Sequence, residues 1–328
     1  MINIAAIGTS MITTRFIDAA RMADGVTVTT IYSRDPTRAA SFAEEQGIPQ
    51  TSSDLDELLA SGAVDAVYVG SPNSAHREQV RRAIEAGKHV FVEKPAVPTA
   101  GEFAALCEQA ATSGVVLFEG MRNVYDPGFD VVRELLPKVG AIRRVAFSYC
   151  QRSARYDKVL AGEPVNIFDP AMAGGALLDL GVYSIAAMVS LFGEPERVAA
   201  MSVRIASGVD GSGVALLQYP GFVGEVEYSK ITRSDRPSEI QGETGTLVID
   251  RIEQPTRVTL TRLDGSVDVR ELDGPENNMV YEVRRFADLI GGLDSKDAAH
   301  TAEADNARTA MTLRVVDEIT TSRHYSDA

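Results

Sequence analysis

Two residue types that often build functional sites are scarce in this 328-residue chain, which has two cysteines and four histidines. Cys107 and Cys150 are too few for a disulfide framework, so we expect a reduced, cytoplasmic protein. The scattered histidines and distant cysteines show none of the spacings that hold a metal ion. We therefore predict no metal site.

Basic residues are also in deficit, with 32 lysines and arginines against 46 acidic residues and a formal net charge of −14. This balance argues against a nucleic-acid partner, because phosphates would be repelled at long range. No run of about 18 apolar residues occurs, so no membrane span is predicted. The chain opens on a strand-like run, Ile2 to Ile7, which we expect to leave no room for a signal peptide. Its length suits two globular domains.

Short apolar runs alternate with helical patterns through about residue 120. Asp35 and Pro36, for example, form an N-cap and first-turn pair that starts a helix. This rhythm predicts βαβ units and a doubly wound parallel sheet of the Rossmann type over residues 1–120. The strands are predicted at Ile2–Gly8, Val26–Ser33, Asp65–Gly70, His89–Glu93 and Val115–Glu119.

After residue 120 the strands follow one another with few helices between them. This change predicts an α+β domain over residues 121–328, with a large, mostly antiparallel sheet. A long loop, Arg152 to Gly174, interrupts the pattern, and loops of this length tend to be functional. Helices near Met279–Ile290 and Ala302–Thr320 are predicted to follow the last strand.

The turn after the first strand carries part of a dinucleotide-binding motif. Such a motif, G-x-G-x-x-G/A, places backbone amides and a helix N-terminus against a pyrophosphate. Gly8 supplies the tight turn, while Ser10 and Thr13 replace the second and third glycines. A strand-to-helix turn without a ligand is the alternative. The predicted cofactor contacts of this turn are Gly8, Thr9, Ser10, Met11 and Ile12.

The end of the second strand bears on the choice of dinucleotide. An acidic residue there would bind the ribose 2′-hydroxyl of NAD, but this strand ends in Ser33 and Arg34. Arg34 and Arg38 are four residues apart, and a 2′-phosphate between them would offset their repulsion. The pattern therefore favours NADP, with NAD as an alternative and two solvated surface arginines as the bland interpretation.

Four further segments carry a family resemblance: Gly70-Ser71-Pro72-Asn73-Ser74-Ala75-His76, Gly87-Lys88-His89 leading to Glu93-Lys94-Pro95, Gly140-Ala141-Ile142, and Gly174 to Tyr183. In this order and spacing they resemble the Gfo/Idh/MocA family of nicotinamide-dependent sugar and polyol oxidoreductases, over essentially the whole chain. The resemblance implies a Rossmann domain, an α+β domain with an open sheet face, and homodimers or homotetramers formed through that sheet.

The resemblance also implies site residues. Lys94 matches the lysine that reaches the substrate hydroxyl and the nicotinamide ribose, and Asp179 matches the acidic residue after the double glycine. Tyr183 replaces the family's usual histidine. With tyrosine at this position, the chain resembles the branch that contains dihydrodiol dehydrogenases, NADP-dependent xylose dehydrogenases and glucose–fructose oxidoreductase. Inositol dehydrogenases, which use histidine there, are a poorer match.

Reversible alcohol oxidation needs a group that takes the hydroxyl proton near neutral pH. A free tyrosine has a pKa of about 10, and a nearby ammonium lowers it. We therefore predict Tyr183 as the acid/base, Lys94 as its electrostatic partner and Asp179 as a positioning group. Each residue also has a purely structural interpretation: Tyr183 as a core residue, Lys94 as part of a plain strand end, and Asp179 as a helix cap or the partner of an arginine.

Further candidates follow from position. The cofactor contacts at the third and fourth strand ends are predicted to be Ser71, Pro72, Asn73, His76, Glu93 and Lys94. His76 has a surface position at a helix start as its alternative. Substrate contacts are predicted for Arg122, Tyr125, Arg155, Tyr156 and Asn166. Arginines here bind an anionic substrate or pair with the nearby acidic residues Asp157, Glu163 and Asp169.

The leading hypothesis is an NAD(P)-dependent oxidoreductase that transfers a hydride between nicotinamide and a hydroxyl carbon of a sugar, polyol or cyclic diol. The resemblance leaves two alternatives, a catalytically silent NADP-sensing regulator and a redox-assisted lyase or glycosidase. Retention of Lys94, Asp179 and Tyr183 together weighs against the silent regulator.

Overall fold

Residues 1–120 form the predicted alternation of strands and helices. The computed structural model describes residues 1–293 and 295–327. In chain order the elements are β1 (Ile2–Ile7), α1 (Met11–Met22), β2 (Val26–Tyr32), α2 (Pro36–Gln46), β3 (Gln50–Ser52), α3 (Leu55–Ala60), β4 (Ala66–Val69), α4 (Asn73–Glu85), β5 (His89–Glu93), α5 (Ala100–Ser113) and β6 (Leu117–Gly120). The short β3 and α3 lay outside the sequence prediction.

The six strands pair in parallel in the order β3-β2-β1-β4-β5-β6, which is the strand order of dinucleotide-binding folds. Local sequence sets the helix limits. Asp35 starts α2 by accepting hydrogen bonds from the amides of Thr37 and Arg38, and Gly47 ends it in the left-handed region. The carboxyl ends of β1, β2, β4 and β5 therefore lie along one edge of the sheet.

The remaining residues include a second sheet and the helices that cover it. In chain order the elements are a 3₁₀ turn (Arg122–Tyr125), α6 (Pro127–Leu135), β7 (Ile142–Cys150), α7 (Tyr156–Leu160), a π-helical turn (Leu177–Gly181), α8 (Val182–Phe192), β8 (Arg197–Arg204), β9 (Asp210–Tyr219), β10 (Phe222–Ser229), β11 (Ser238–Gly242), β12 (Gly245–Ile249), β13 (Arg257–Arg262), β14 (Val267–Glu271), α9 (Met279–Gly291), α10 (Lys296–Ser322) and β15 (His324–Asp327). The long loop after β7 contains α7 and two short 3₁₀ turns.

The second sheet has nine described strands in the order β14-β13-β12-β11-β7-β10-β9-β8-β15. Only the pairs β7–β10 and β8–β15 are parallel among these strands, so the prediction of a mostly antiparallel sheet is confirmed. One face packs on α8 and the π-helical turn. The other face exposes the apolar side chains Met201, Val214, Leu216 and Val223.

Contacts divide the described chain into two units. The N-terminal unit comprises Met1–Gly120 and Glu276–Ala310, and the C-terminal unit comprises Met121–Pro275 and the residues from Met311 onward. The sequence prediction placed one boundary, after residue 120, whereas the structure returns α9 to the first unit. Phe286 of α9 explains this return, because its ring lies 5.6 Å from that of Phe91 and 5.9 Å from that of Phe118.

Within the described residues one helical segment, Pro170–Phe192, is long and apolar enough to cross a membrane by length and composition. Its most apolar window is 72% buried inside the protein. Side chains of α8, including Ile185 and Met188, belong to the main hydrophobic core. Burial against the nine-stranded sheet therefore accounts for the apolar character of this segment.

Candidate active site

The first candidate feature is the turn after β1 in the N-terminal unit. Gly8 has φ +128°, and a Cβ there would lie 2.7 Å from the carbonyl oxygen of Gly70. Within the described chain no side chain caps α1 at Ser10, and the buried hydroxyl of Thr13 has no hydrogen-bond partner. A glycine-dependent close approach and an uncapped helix start fit a dinucleotide pyrophosphate.

The first turn of α2, which follows β2, is joined to this turn by an arginine. Arg38 donates from Nε to Oγ1 of Thr9 over 2.6 Å, and both Arg34 and Arg38 are exposed. Asp35 is engaged in capping α2, while the hydroxyl of Ser33 accepts the Asp35 amide over 3.3 Å. The structure thus brings Arg38 to the first turn, while Ser33 and Arg34 follow directly after β2.

His76 lies below the strand ends rather than on their surface. Its ring is fully buried, with Nε2 2.9 Å from the carbonyl oxygen of Ser71 and Nδ1 3.1 Å from that of Pro95. Burial lowers the pKa of His76 below its ordinary value. The direct cofactor contact of His76 stays a prediction, and in the structure the buried ring, held between two carbonyl oxygens, positions the backbone beside Lys94.

The backbone on both sides of Lys94 is held from the core. Glu93 is buried, and its Oε1 accepts a hydrogen bond from the phenol of Tyr68 over 3.0 Å. After the half-buried Lys94, the Ala96 amide donates to Oε1 of Glu119 over 2.9 Å. Burial raises the pKa of Glu119. Glu93 thus supports the end of β5 next to Lys94, and its contact with the cofactor stays a prediction.

The other predicted residues near Lys94 lie at the end of β4. The hydroxyl of Ser71 donates to Oε1 of Gln79 over 2.6 Å, which fixes the turn at the start of α4. Pro72 precedes that helix and Asn73 is its first residue. These three residues border the same edge of the parallel sheet as Gly8.

In the C-terminal unit the double glycine precedes the π-helical turn. Gly175 has φ +128°, and a Cβ there would lie 2.5 Å from Oδ1 of Asp210. The buried Asp210 accepts a hydrogen bond from the Leu177 amide through Oδ2 over 2.7 Å. Glycine is thus required because a buried carboxylate caps this segment at close range. Such π-helical turns occur frequently at functional sites.

Asp179 lies within that turn and is paired with a lysine that sequence reasoning missed. Lys230, directly after β10, donates from Nζ to Oδ2 of Asp179. A signal for it was present, because Val226, Tyr228 and Lys230 alternate along the strand and share its buried face. Lys94 is the ammonium that the motif predicts, and Lys230 is a second ammonium next to a predicted site residue.

Tyr183 lies one turn later, in α8, and is 6% exposed. Arg122 donates from Nε to its hydroxyl oxygen over 3.3 Å, and the Tyr149 ring packs edge-on at 5.5 Å. Asn123 donates to the Tyr183 carbonyl over 3.0 Å, which fixes the helix backbone. Arg122 therefore places a cation at the phenol, and its contact with substrate stays a prediction.

The remaining substrate candidates have separate surroundings. Tyr125 is half-buried against the main core, and Tyr156 packs at 5.7 Å from the ring of Phe168. Arg155 and Asn166 are exposed on the long loop. Arg152 pairs with both carboxylate oxygens of Asp157, which is the alternative to anion binding that the sequence left open.

Comparison with known proteins places this arrangement among oxidoreductases. Residues 2–121 match the "Oxidoreductase family, NAD-binding Rossmann fold", and residues 131–248 match the "GFO/IDH/MocA C-terminal domain". The chain is 40% identical to the Bacillus subtilis scyllo-inositol 2-dehydrogenase (NADP(+)) IolU, over 97% of this chain and 96% of that protein. It is 30% identical to the D-xylose 1-dehydrogenase (NADP(+)) 2 of Haloferax volcanii, over 95% and 94% of the two chains.

A solved structure gives the same result at the level of the fold. KijD10, a 3-ketoreductase from Actinomadura kijaniata in complex with NADP and TDP-benzene, matches with a TM-score of 0.87 and 26% identity, over 100% of this chain and 99% of that one. The similarity to IolU departs from one expectation, since the tyrosine at position 183 had made inositol dehydrogenases seem a poorer match.

Proposed function

The chain belongs to the Gfo/Idh/MocA family of NAD(P)-dependent oxidoreductases, and we propose that it transfers a hydride reversibly between NADP(H) and a hydroxyl-bearing carbon of a sugar, polyol or cyclic diol. The observation that carries the proposal is the pair Asp179 and Tyr183, one helical turn apart, each in contact with a cation. This arrangement suits proton transfer at a hydroxyl group.

The residues of the N-terminal unit fit the dinucleotide. Gly8 to Ile12 offer the uncapped amides of α1 to the pyrophosphate, and Ser71 to Asn73 border the same sheet edge. Arg34 and Arg38 are proposed to bind a 2′-phosphate, since an exposed arginine pair suits a dianion. The names of IolU and of the xylose dehydrogenase, which both specify NADP(+), support this choice over NAD.

When bound, NADP(H) supplies the hydride acceptor or donor. Tyr183 is proposed to take the hydroxyl proton during oxidation and to return it during reduction. The Arg122 guanidinium at 3.3 Å stabilises the phenolate, which takes the proton in oxidation and is left behind when the phenol gives its proton in reduction. Lys94 is proposed to bind the reacting hydroxyl, as the family resemblance implies, and its backbone is held through Glu119.

The substrate is proposed to be a neutral polyol or sugar. Asp179 accepts hydrogen bonds from hydroxyl groups, and Tyr125, Arg155, Tyr156 and Asn166 remain candidate contacts. A cyclic polyol is the first compound to test because IolU carries an inositol in its name. Arg152 is paired with Asp157, which leaves one arginine fewer to bind an anionic substrate.

The test is a panel of inositols, aldoses, linear polyols and cyclic diols, assayed by NADPH formation with NADP+ and NAD+ in parallel. We expect turnover on at least one polyol and preference for NADP+. Tyr183→Phe should lower kcat by about 10²–10⁴-fold with the NADPH Kd unchanged. Tyr219→Phe is the matched control, since its buried hydroxyl donates to the Gly193 carbonyl instead. Tight NADPH binding without turnover on any compound would favour the silent regulator.

We also propose a cytoplasmic homodimer or homotetramer formed through the exposed face of the nine-stranded sheet. On this face Val214 of β9 lies opposite Met201 of β8, and Glu225 of β10 lies opposite Leu216. Met201, Val214, Leu216 and Val223 are the exposed apolar side chains that we propose to pack against a second copy. Leu216→Glu should shift the mass measured by light scattering toward the monomer. An unchanged mass, or a monomeric wild type, would contradict the assignment.

A further inference from the structure

A buried lysine supports the candidate acidic residue of the C-terminal unit. The side chain of Lys230 is 7% exposed and donates to Asp179, whose side chain is 33% exposed. We propose that Lys230 is a positioning residue that holds Asp179 as an ionised hydrogen-bond acceptor for a substrate hydroxyl. This inference rests on the proposed function, because it takes Asp179 to contact the polyol.

The backbone fixes where the ammonium lies. The Lys230 amide donates to the carbonyl oxygen of Gly211 over 2.8 Å, and the Lys230 carbonyl accepts from the Ser153 amide over 2.9 Å. Its side chain continues the buried face of β10 after Val226 and Tyr228. Lys230 therefore differs from a surface lysine, which buries its alkyl chain but keeps its ammonium group in water.

The charges explain why the pair stays together. A buried ammonium needs a partner, and Asp179 supplies the opposite charge. The Phe168 ring, whose centroid lies 5.8 Å from Nζ, adds a second favourable contact from the long loop. An ammonium at this position favours the ionised carboxylate and fixes its orientation.

The two side chains of the pair differ in their exposure to solvent. Lys230 faces the core, whereas a third of the Asp179 side chain is open to an outside hydroxyl group. Asp179 also lies four residues before Tyr183 in one continuous helical run, and a polyol at the phenol is proposed to place a second hydroxyl at the carboxylate. A salt bridge that only stabilised the fold would not need its carboxylate partner to be open to solvent.

The experiment compares Lys230→Met, Asp179→Asn and the double variant by steady-state kinetics with the active polyol. We expect Lys230→Met to lower kcat/KM by about tenfold or more, mainly through the polyol KM, with the NADPH Kd unchanged. In the Asp179→Asn background the same substitution should have little further effect. Lys138→Met is the control, because it removes an exposed lysine paired with Glu134 in the same unit.

A urea-unfolding cycle on the same four proteins gives a readout that does not depend on activity. Coupling between the two substitutions in kcat/KM and in unfolding supports the proposal, whereas additive effects in either measurement overturn it. If Lys230→Met fails to fold, the double variant, which buries no unpaired charge, is compared with Asp179→Asn. A wild type that oxidises no polyol overturns the proposed function, and the unfolding cycle still decides whether Lys230 holds Asp179.

Discussion

Replacing Gly8 by alanine tests the turn on which dinucleotide binding is proposed to depend. The new Cβ would lie 2.7 Å from the carbonyl oxygen and 2.9 Å from the carbonyl carbon of Gly70, both of them backbone atoms of a paired strand end. The φ of +128° is also unfavourable for any residue with a Cβ. Neither problem has a flexible side chain to relieve it.

The magnitude follows from two terms. Holding alanine in a sparsely populated backbone region costs about 1–3 kcal/mol, and forcing an extra methyl group into a packed site costs about 1–3 kcal/mol. We therefore expect Gly8→Ala to lower the free energy of unfolding by about 2–6 kcal/mol. Displacement of the turn should also weaken NADPH binding, because the amides at the start of α1 would move.

The assay is urea unfolding without cofactor, followed by NADPH titration of the folded variant. Gly62→Ala is the control, since a Cβ there meets nothing within 4 Å and its φ is not positive. It should change the unfolding free energy by no more than about 1 kcal/mol. If Gly8→Ala unfolds at the same urea concentration as the wild type and binds NADPH equally well, the turn does not make the close approach described here.

Three further predictions concern single side chains. Arg38→Ala should weaken NADPH by about 10–100-fold in fluorescence titration while leaving NADH unchanged, because a hydrogen bond to a charged group contributes about 1.5–3 kcal/mol; equal losses would remove the 2′-phosphate assignment. Burial lowers the folded-state pKa of His76, so the unfolded chain binds more protons below the ordinary value of 6.5 and stability falls as the pH drops through that value. His76→Gln should flatten this decline in urea unfolding measured from pH 7 to pH 5.5, and a profile parallel to the wild type would refute it. Asp210→Ala breaks the pair with Arg323 and should cost about 3–5 kcal/mol of unfolding free energy, with a lower kcat because the π-helical turn loses its cap; a variant of wild-type stability would argue against that role.

Local patterns were sufficient for most of the fold. Alternating strands and helices predicted the parallel sheet, and Asp35, Pro36 and Gly47 act at the ends of α2 as their residue types indicate. The short strand β3 and the edge strand β15 were not predicted from the sequence, because they have only three and four residues and little apolar periodicity. The placement of α9 escaped because its partners, Phe91 and Phe118, lie far away in the chain.

The candidate site was predictable only as a set of residue types. The motif with Gly174 and Gly175 pointed to Asp179 and Tyr183, but not to the Asp210 carboxylate that makes Gly175 necessary. His76 and Glu93 are predicted cofactor contacts, and both are buried, with the His76 ring at the Pro95 carbonyl and the Glu93 carboxylate at the Tyr68 phenol. Burial of a polar side chain depends on what packs over it, which one chain position does not reveal.

The sequence by itself determined the two kinds of sheet, the glycine-dependent turn at Gly8 and the family, because periodicity and motif spacing are local properties. Only the tertiary structure decided which charges meet. It placed Arg122 at the phenol of Tyr183 and Lys230 at the carboxylate of Asp179, across 61 and 51 residues of chain. Electrostatic partners are chosen by distance in the folded state, so only strand register and helix packing bring such pairs together.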